Sequence, residues 1–236
     1  MIPLKDDQPT HSFPFMTIAL IAANILVFYY QVSLGPAAEG FVFTYGAIPF
    51  NLMNTIESRV SVPMVAMSVF TSMFLHGGFL HLGGNMLYLW IFGNNIEDVM
   101  GKGRFIFFYL ICGIVAVYSH ASFEPQSRFP MIGASGAVSG VLGAYILLFP
   151  RARVLTLVPL GFFTQLMRIP AVVVLGFWFL VQIFNSLLTP PGAGGVAWFA
   201  HIGGFVAGMG LIFFFKKRRG ATPTRGTTPT RGAYYR

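Results

Sequence analysis

The chain has 236 residues, of which 55% are hydrophobic, 16% aromatic and only 9% charged. A soluble domain carries about 25% charged residues, so this composition excludes a water-soluble globule. The formal net charge of +8 comes from basic residues in loops and in the C-terminal tail, a pattern that favours a membrane-orientation signal over nucleic-acid binding. Cys112 is the single cysteine of the chain, so an intramolecular disulfide is excluded.

Apolar runs of about 18 residues recur along the chain, and such a run is long enough to cross a hydrocarbon core of about 30 Å. They predict an all-α polytopic membrane protein with six transmembrane helices. The predicted spans are Phe13–Tyr30, Phe79–Ile96, Phe105–His120, Ser135–Phe149, Pro170–Leu188 and Val196–Phe215. The expected organisation is an N-terminal segment of residues 1–12, a membrane domain of residues 13–215 and a basic, disordered tail of residues 216–236.

The distribution of basic residues predicts the orientation of these spans. One side of the membrane collects Lys5, Lys102, Arg104, Arg151, Arg153, Arg168, Lys216, Lys217, Arg218, Arg219, Arg225, Arg231 and Arg236. The opposite side has only Arg59 and Arg128. Because basic residues are enriched on the cytoplasmic side, both termini are expected to be cytoplasmic. The plain six-span organisation favours a prokaryotic plasma membrane.

Two segments depart from a simple bundle of spans. The first outer loop, from Gln31 to about Gly78, is too long for a connector, and its mixture of apolar and charged residues predicts a partly helical, interfacial insertion. The fourth apolar segment has only about 15 residues, or roughly 22 Å of helix, which is too short to cross alone. Since Pro150 and Arg151 fix its cytoplasmic end, Ser135 is expected to lie below the outer surface, at the start of a submerged helix.

Polar residues inside the predicted spans indicate a functional site, because such residues are costly in a bilayer. His81 and Asn85 are four residues apart on one helix face, and His201 and Ser135 are expected at the same depth. Small residues flank the last two and predict close packing of the fourth and sixth helices. These are Gly136, Gly140, Gly204 and Gly208.

Close packing of these two helices would bring the Ser135 hydroxyl to the His201 imidazole. A serine hydroxyl becomes a nucleophile when a neighbouring base takes its proton, and histidine suits that role. The Ser135 backbone N–H, the Asn85 amide and His81 are available donors for an oxyanion. The acidic residues lie near the predicted membrane surfaces, so we expect a dyad in which no Asp or Glu orients the histidine. Glu97, at the end of the second span, is expected to accept bonds from loop backbone or to pair with a nearby basic residue.

These residues resemble those of the rhomboid intramembrane serine proteases. The resemblance rests on three motifs, Gly133-Ala-Ser-Gly136, His81-Leu-Gly-Gly-Asn85 and Ala200-His-Ile-Gly-Gly204, and on the order of the six spans. It implies a rhomboid-like bundle in which Ser135 is the nucleophile, His201 the general base, and His81 and Asn85 part of the oxyanion hole. It also implies single-span membrane proteins as substrates, cut near the outer membrane boundary, with the fifth span and the loop of residues 189–195 as a mobile gate and cap.

The sequence departs from the family pattern at one position next to the site. Some rhomboids carry a tyrosine four residues after the nucleophile, where it stacks on the catalytic histidine; here the residue is Ser139, so another group must hold the His201 ring. Two other functions remain open, a non-catalytic rhomboid-like protein that binds membrane clients and a transporter or haem-binding bundle that uses His81 and His201. A metal site is not expected, because zinc sites need more ligands than these histidines supply, and no cofactor is expected.

Overall fold

The computed structural model describes residues 1–161, 163–190 and 194–217, and the chain is mostly helical within them. The prediction for the tail therefore lies outside the described residues from Arg218 onward, together with its basic residues Arg219, Arg225, Arg231 and Arg236. Residues 191–193 of the predicted cap loop also lie outside them.

Eleven α-helices are found in the described residues. They are α1 (Phe15–Ser33), α2 (Ala38–Tyr45), α3 (Pro49–Met53), α4 (Thr55–Ser58), α5 (Val62–Thr71), α6 (Phe79–Tyr88), α7 (Asn94–Met100), α8 (Lys102–Phe123), α9 (Ser135–Leu148), α10 (Ala171–Leu188) and α11 (Trp198–Phe215). A π-helical turn, Leu89–Gly93, joins α6 to α7 without a break. Each of the six apolar segments predicted from the sequence coincides with α1, α6 to α7, α8, α9, α10 or α11.

Four described helices, α1, α8, α10 and α11, are long and apolar enough to cross a membrane. A fifth candidate is the pair Val62–Phe74 and Phe79–Met100, whose two parts are bent by 81°. Helix α9 is apolar but has only 14 residues, and its positions from Gly136 to Tyr145 are buried. The chain is therefore a polytopic helical membrane protein with α9 enclosed by its neighbours, while the count of six spans stays a prediction.

A three-stranded antiparallel sheet corrects the all-α prediction. Its strands are β1 (Ile2–Asp6), β2 (Arg153–Leu160) and β3 (Phe163–Pro170), in the order β1-β2-β3. The β2 segment is rich in β-branched and apolar residues, and Val154, Thr156 and Val158 alternate into the interior. Strand β1 comes from the segment of residues 1–12 and pairs with β2, so this segment is part of the folded structure.

The long segment between α1 and α6 supports the irregular backbone that precedes α9. The amides of Ala47 and Met131 each donate to the other's carbonyl, at 3.1 and 2.8 Å, and Phe50 N–H donates to Ser127 at 2.9 Å. Backbone groups away from water need such partners, because an unpaired one costs about 1–3 kcal/mol. The segment between α1 and α6 thus supplies hydrogen-bond partners for the non-helical chain that leads to Ser135.

Glu97, in α7, contacts backbone rather than a basic side chain. Its carboxylate accepts hydrogen bonds from the amides of Met16 and Thr17, at 3.0 and 2.8 Å, and from the Thr17 hydroxyl at 2.8 Å. These amides belong to the first turn of α1, where N–H groups lack partners within the helix and the helix dipole favours a negative charge. The carboxylate therefore joins the start of α1 to the first turn of α7.

Candidate active site

The Ser135 hydroxyl and the His201 imidazole meet between α9 and α11. Ser135 is the first residue of α9, and His201 lies in the first turn of α11. Their side chains are joined by a hydrogen bond of 2.8 Å between Ser135 Oγ and His201 Nε2. Both residues are half-buried, so the pair is sheltered but can be reached. A hydroxyl bonded to an unprotonated ring nitrogen is the arrangement that general-base activation of a nucleophile requires.

Glycines along the contact between α9 and α11 allow this meeting. A Cβ on Gly204 would lie under 3.0 Å from the carbonyl oxygen of Gly136, and one on Gly208 would overlap the backbone of Gly140 in the same way. The two helices therefore touch backbone to backbone, as small-residue helix pairs do in membranes. This approach brings together the ends of α9 and α11 that carry Ser135 and His201.

Gly133 shapes the turn into α9. Its φ of +124° is one that residues with a side chain rarely adopt, and a Cβ there would lie 2.7 Å from Cε1 and Nε2 of His81. The Gly133 amide donates to the Ser72 carbonyl at 2.9 Å. Because Ser135 is the first helical residue, its own amide has no carbonyl one turn earlier to bond to. This contact between Gly133 and His81 was not predicted from the sequence, where Gly133 appears only as part of a motif.

His81 and Asn85 lie on the side of α6 that faces the cavity of Ser135. His81 Nδ1 accepts a hydrogen bond of 3.3 Å from the Gly77 amide, which leaves the proton on Nε2. That nitrogen and Ser135 Oγ both lie within 4 Å of the position that a Gly133 Cβ would occupy. Asn85 Nδ2 is buried and has no hydrogen-bond partner among the described residues. Two side-chain donors, His81 Nε2 and Asn85 Nδ2, thus belong to residues that line one cavity with the serine.

Gln182, which was not predicted from the sequence, contacts the second ring nitrogen, Nδ1, of His201. Its Oε1 lies 2.8 Å from His201 Nδ1, and the group on that nitrogen is therefore an amide rather than a carboxylate. Trp178, one turn earlier on α10, has its ring 5.8 Å from that of His201. Ser139 is turned elsewhere and donates to the Ser135 carbonyl at 2.6 Å. The sequence signal for Gln182 was a polar residue in an apolar span.

A cavity of about 700 Å³ surrounds the pair. It is lined by the four residues expected at one depth, Ser135, His201, His81 and Asn85, and by residues of the chain before α9 and after α10. A cavity of this size accommodates an extended stretch of peptide beside the serine. The arrangement is suited to acyl transfer: a hydroxyl bonded to a base, with donors that face the place where negative charge would develop.

Comparison with known proteins shows the family of the chain. Residues 64–218 match the Rhomboid domain family model. The chain is 32% identical over 198 residues to Rhomboid protease GluP of Bacillus subtilis, covering 83% of this chain and 34% of the relative. It is 38% identical over 95 residues to Rhomboid protein 1, mitochondrial, of Saccharomyces cerevisiae, covering 39% of this chain and 28% of the relative.

A plant relative matches over a longer part of its own length. RHOMBOID-like protein 5 of Arabidopsis thaliana is 28% identical over 187 residues, covering 78% of this chain and 55% of the relative. The chain thus spans only part of the length of the curated relatives that it matches. The match to the Rhomboid domain covers most of the chain and includes all the residues that line the cavity around Ser135. The resemblance inferred from the three motifs is therefore confirmed, and the chain belongs to the rhomboid family.

Proposed function

We propose that this protein is an intramembrane serine endopeptidase with a Ser135 and His201 dyad. The observation that carries the proposal is the 2.8 Å hydrogen bond from Ser135 Oγ to His201 Nε2, at a helix start inside a cavity. The name of the Bacillus subtilis relative, a rhomboid protease, agrees with it. Rhomboid-like proteins that bind membrane clients without cleaving them are the alternative that the test below separates.

In the proposed reaction, Ser135 Oγ attacks the carbonyl carbon of the scissile peptide bond while His201 Nε2 takes the hydroxyl proton. The negative charge that forms on the carbonyl oxygen is held by the Ser135 amide and the Asn85 and His81 side chains, and one such donor contributes about 3 kcal/mol. His201 then returns its proton to the leaving amine as the carbon–nitrogen bond breaks. Water, activated in turn by His201, hydrolyses the resulting ester and frees Ser135.

The Asn85 amide, which finds no hydrogen-bond partner within the described part of the chain, supports the oxyanion assignment. A buried N–H without a partner costs about 1–3 kcal/mol. A substrate oxygen that accepts a hydrogen bond from this N–H removes that cost, which favours binding of the oxygen. His81 supports the same assignment because the Gly77 amide occupies its Nδ1 and leaves the Nε2 proton available. Both groups would bind the charged oxygen of the intermediate more strongly than the neutral carbonyl of the substrate.

We further propose the topology and substrates that the resemblance implies. The chain would cross a prokaryotic plasma membrane six times with both termini in the cytoplasm, and α9 would begin below the outer surface. Single-span membrane proteins would be cut near the outer boundary, after entry past α10 and the loop of residues 189–195. The outward face of α10 is exposed at Phe177, Leu180 and Phe184, as expected of a helix in contact with lipid.

The test uses the purified full chain in liposomes with a fluorogenic single-span substrate. Ser135→Ala should abolish cleavage, whereas Ser122→Ala, at an exposed serine of α8, should leave the rate unchanged. A fluorophosphonate probe should label the natural chain and the Ser122 variant but not the Ser135 variant. Cleavage by Ser135→Ala at the natural rate would refute the proposal, and a natural chain that binds the substrate without cleaving it or reacting with the probe would establish the client-binding alternative.

A further inference from the structure

Gln182 connects a third helix to the serine and histidine pair. It lies in α10, has 4% of its surface exposed, and bonds to His201 Nδ1 at 2.8 Å. The His201 ring is therefore held at both nitrogens, by α9 through Ser135 and by α10 through Gln182. A fully enclosed amide in an apolar helix is costly unless its groups are paired.

The hydrogen bonds of Gln182 fix which atom of its amide faces His201. Gln182 Nε2 donates to the Trp178 carbonyl at 2.8 Å, and a carbonyl can only accept. The amide oxygen must then face His201 Nδ1, so this nitrogen carries the ring proton. The other nitrogen, Nε2, is left unprotonated and accepts the bond from the Ser135 hydroxyl. A ring with its proton on Nε2 would be unable to take the serine proton.

We propose that Gln182 is a positioning residue that sets the tautomer and the orientation of His201. This inference rests on the proposed protease function and adds to the dyad an uncharged third member, which stands where a carboxylate stands in a Ser-His-Asp triad. An amide acceptor orients the ring without placing a buried charge in the protein interior, which would be costly to desolvate. Gln182 itself contacts the histidine and acts through it.

The attachment of α10 bears on how firmly Gln182 is held. Phe179 stacks on Phe205 of α11 with ring centroids 4.4 Å apart, and Trp198 Nε1 donates to Thr189 Oγ1 at 2.9 Å, at the end of α10. These contacts place Gln182 over His201 Nδ1. A displacement of α10 would remove the acceptor from the ring, so the activity of the dyad depends on α10 being seated on α11.

The test compares Gln182→Met, which keeps the length of the side chain without its acceptor, with Gln182→Glu, which keeps an acceptor and adds charge. Ser186→Ala, one turn further along α10, is the matched control because its hydroxyl donates to the Ile183 carbonyl of the same helix. For each protein we would measure kcat and KM for the single-span substrate, the pH profile of kcat/KM, and the rate of fluorophosphonate labelling.

Gln182→Met should lower kcat and the labelling rate by about 10- to 100-fold with little change in KM, since general-base catalysis contributes about 10²–10⁴-fold. Gln182→Glu should recover much of the rate and move the acidic limb of the profile to higher pH by about one unit, because a carboxylate on Nδ1 stabilises the protonated ring. Ser186→Ala should match the natural chain.

Two results overturn the proposal about Gln182 while leaving the protease function intact. One is a kcat and a labelling rate in Gln182→Met equal to those of the natural chain. The other is an active Gln182→Glu protein whose pH profile of kcat/KM has its acidic limb at the same pH as that of the natural chain. If Gln182→Met does not fold, the pH profile of Gln182→Glu decides. A natural chain that neither cleaves the substrate nor reacts with the probe overturns the protease function itself, and the positioning role with it.

Discussion

The contact between α9 and α11 can be tested by adding a single methyl group. In Gly204→Ala the new Cβ would meet the carbonyl oxygen and carbon of Gly136, which are backbone atoms and have no other rotamer to adopt. Ordinary contact begins at 3.4 Å, so the two helices must separate by about 1 Å. Gly204 follows His201 by less than one turn, and Gly136 follows Ser135 directly, so the separation acts at the candidate active site.

The expected effect on stability is the balance of two terms. Alanine in place of glycine in a helix is favourable by about 1 kcal/mol, whereas overpacking at a site that cannot yield costs about 3 kcal/mol. The net change is a loss of about 2 kcal/mol in the free energy of unfolding. A shift of about 1 Å would also lengthen the bond between Ser135 and His201, and such a misplacement costs about 10²-fold in rate.

Gly210→Ala is the matched control, because a Cβ at this position of α11 meets nothing within 4 Å. Thermal unfolding in detergent and cleavage of the single-span substrate would be measured for both variants and the natural chain. We expect the melting temperature and cleavage rate to fall in Gly204→Ala, and both to be unchanged or slightly raised in Gly210→Ala. Equal melting temperatures and rates in the two variants would show that the close approach of α9 and α11 is not needed.

Two further predictions concern carboxylates, that of Glu97 in α7 and that of Asp6 in β1. Glu97→Ala should lower the free energy of unfolding by about 3 kcal/mol, because three hydrogen bonds to a buried carboxylate are lost. Asp98→Ala removes two hydrogen bonds nearer the surface, from the His11 amide and the Ser12 hydroxyl, and should cost only about 1 kcal/mol. Similar melting temperatures for the two variants would contradict this expectation. Burial raises the pKa of the Asp6 carboxyl, although the hydrogen bond from Tyr145 opposes this shift. The folded protein therefore binds the Asp6 proton more tightly than the unfolded chain does. The free energy of unfolding falls as the pH rises through this raised pKa and Asp6 ionises. Asp6→Asn, which keeps an acceptor for Tyr145, should therefore melt above the natural chain at pH 7 and lose that advantage as the pH falls below the ordinary Asp value of 3.8; a difference independent of pH would refute the reasoning.

The sequence predicted the helices well because each apolar run reports directly on burial or lipid contact. The short fourth run, in particular, begins as a helix at Ser135, where length and the Pro150 boundary had placed its start. The sheet was missed because β2 is itself an apolar run, and its partner β1 lies about 150 residues away in the chain. Pairing between such distant segments leaves no local pattern to read.

The site shows the same division between local and distant information. Ser135 and His201 were predicted together because glycines beside each of them indicated close helix packing. Gln182 escaped because one amide in α10 carries no spacing that connects it to His201, and only the packing of α10 on α11 brings the two together. The neighbourhood of Ser139 indicated that some other group must hold the ring, but the identity of that group required three-dimensional contacts.

The hydrogen bonds between the segment that joins α1 to α6 and the chain before α9 matter for the design of chimeric proteins. Ala47 pairs with Met131, Phe50 with Ser127, and Ser72 with Gly133. The backbone of each stretch therefore depends on the conformation of the other. If either stretch is transplanted from another rhomboid, both should be, because a mismatched graft would leave backbone N–H and C=O groups without hydrogen-bond partners and away from water. Recombination libraries for this family are best cut outside residues 47–72 and 127–133, with the two kept from the same parent.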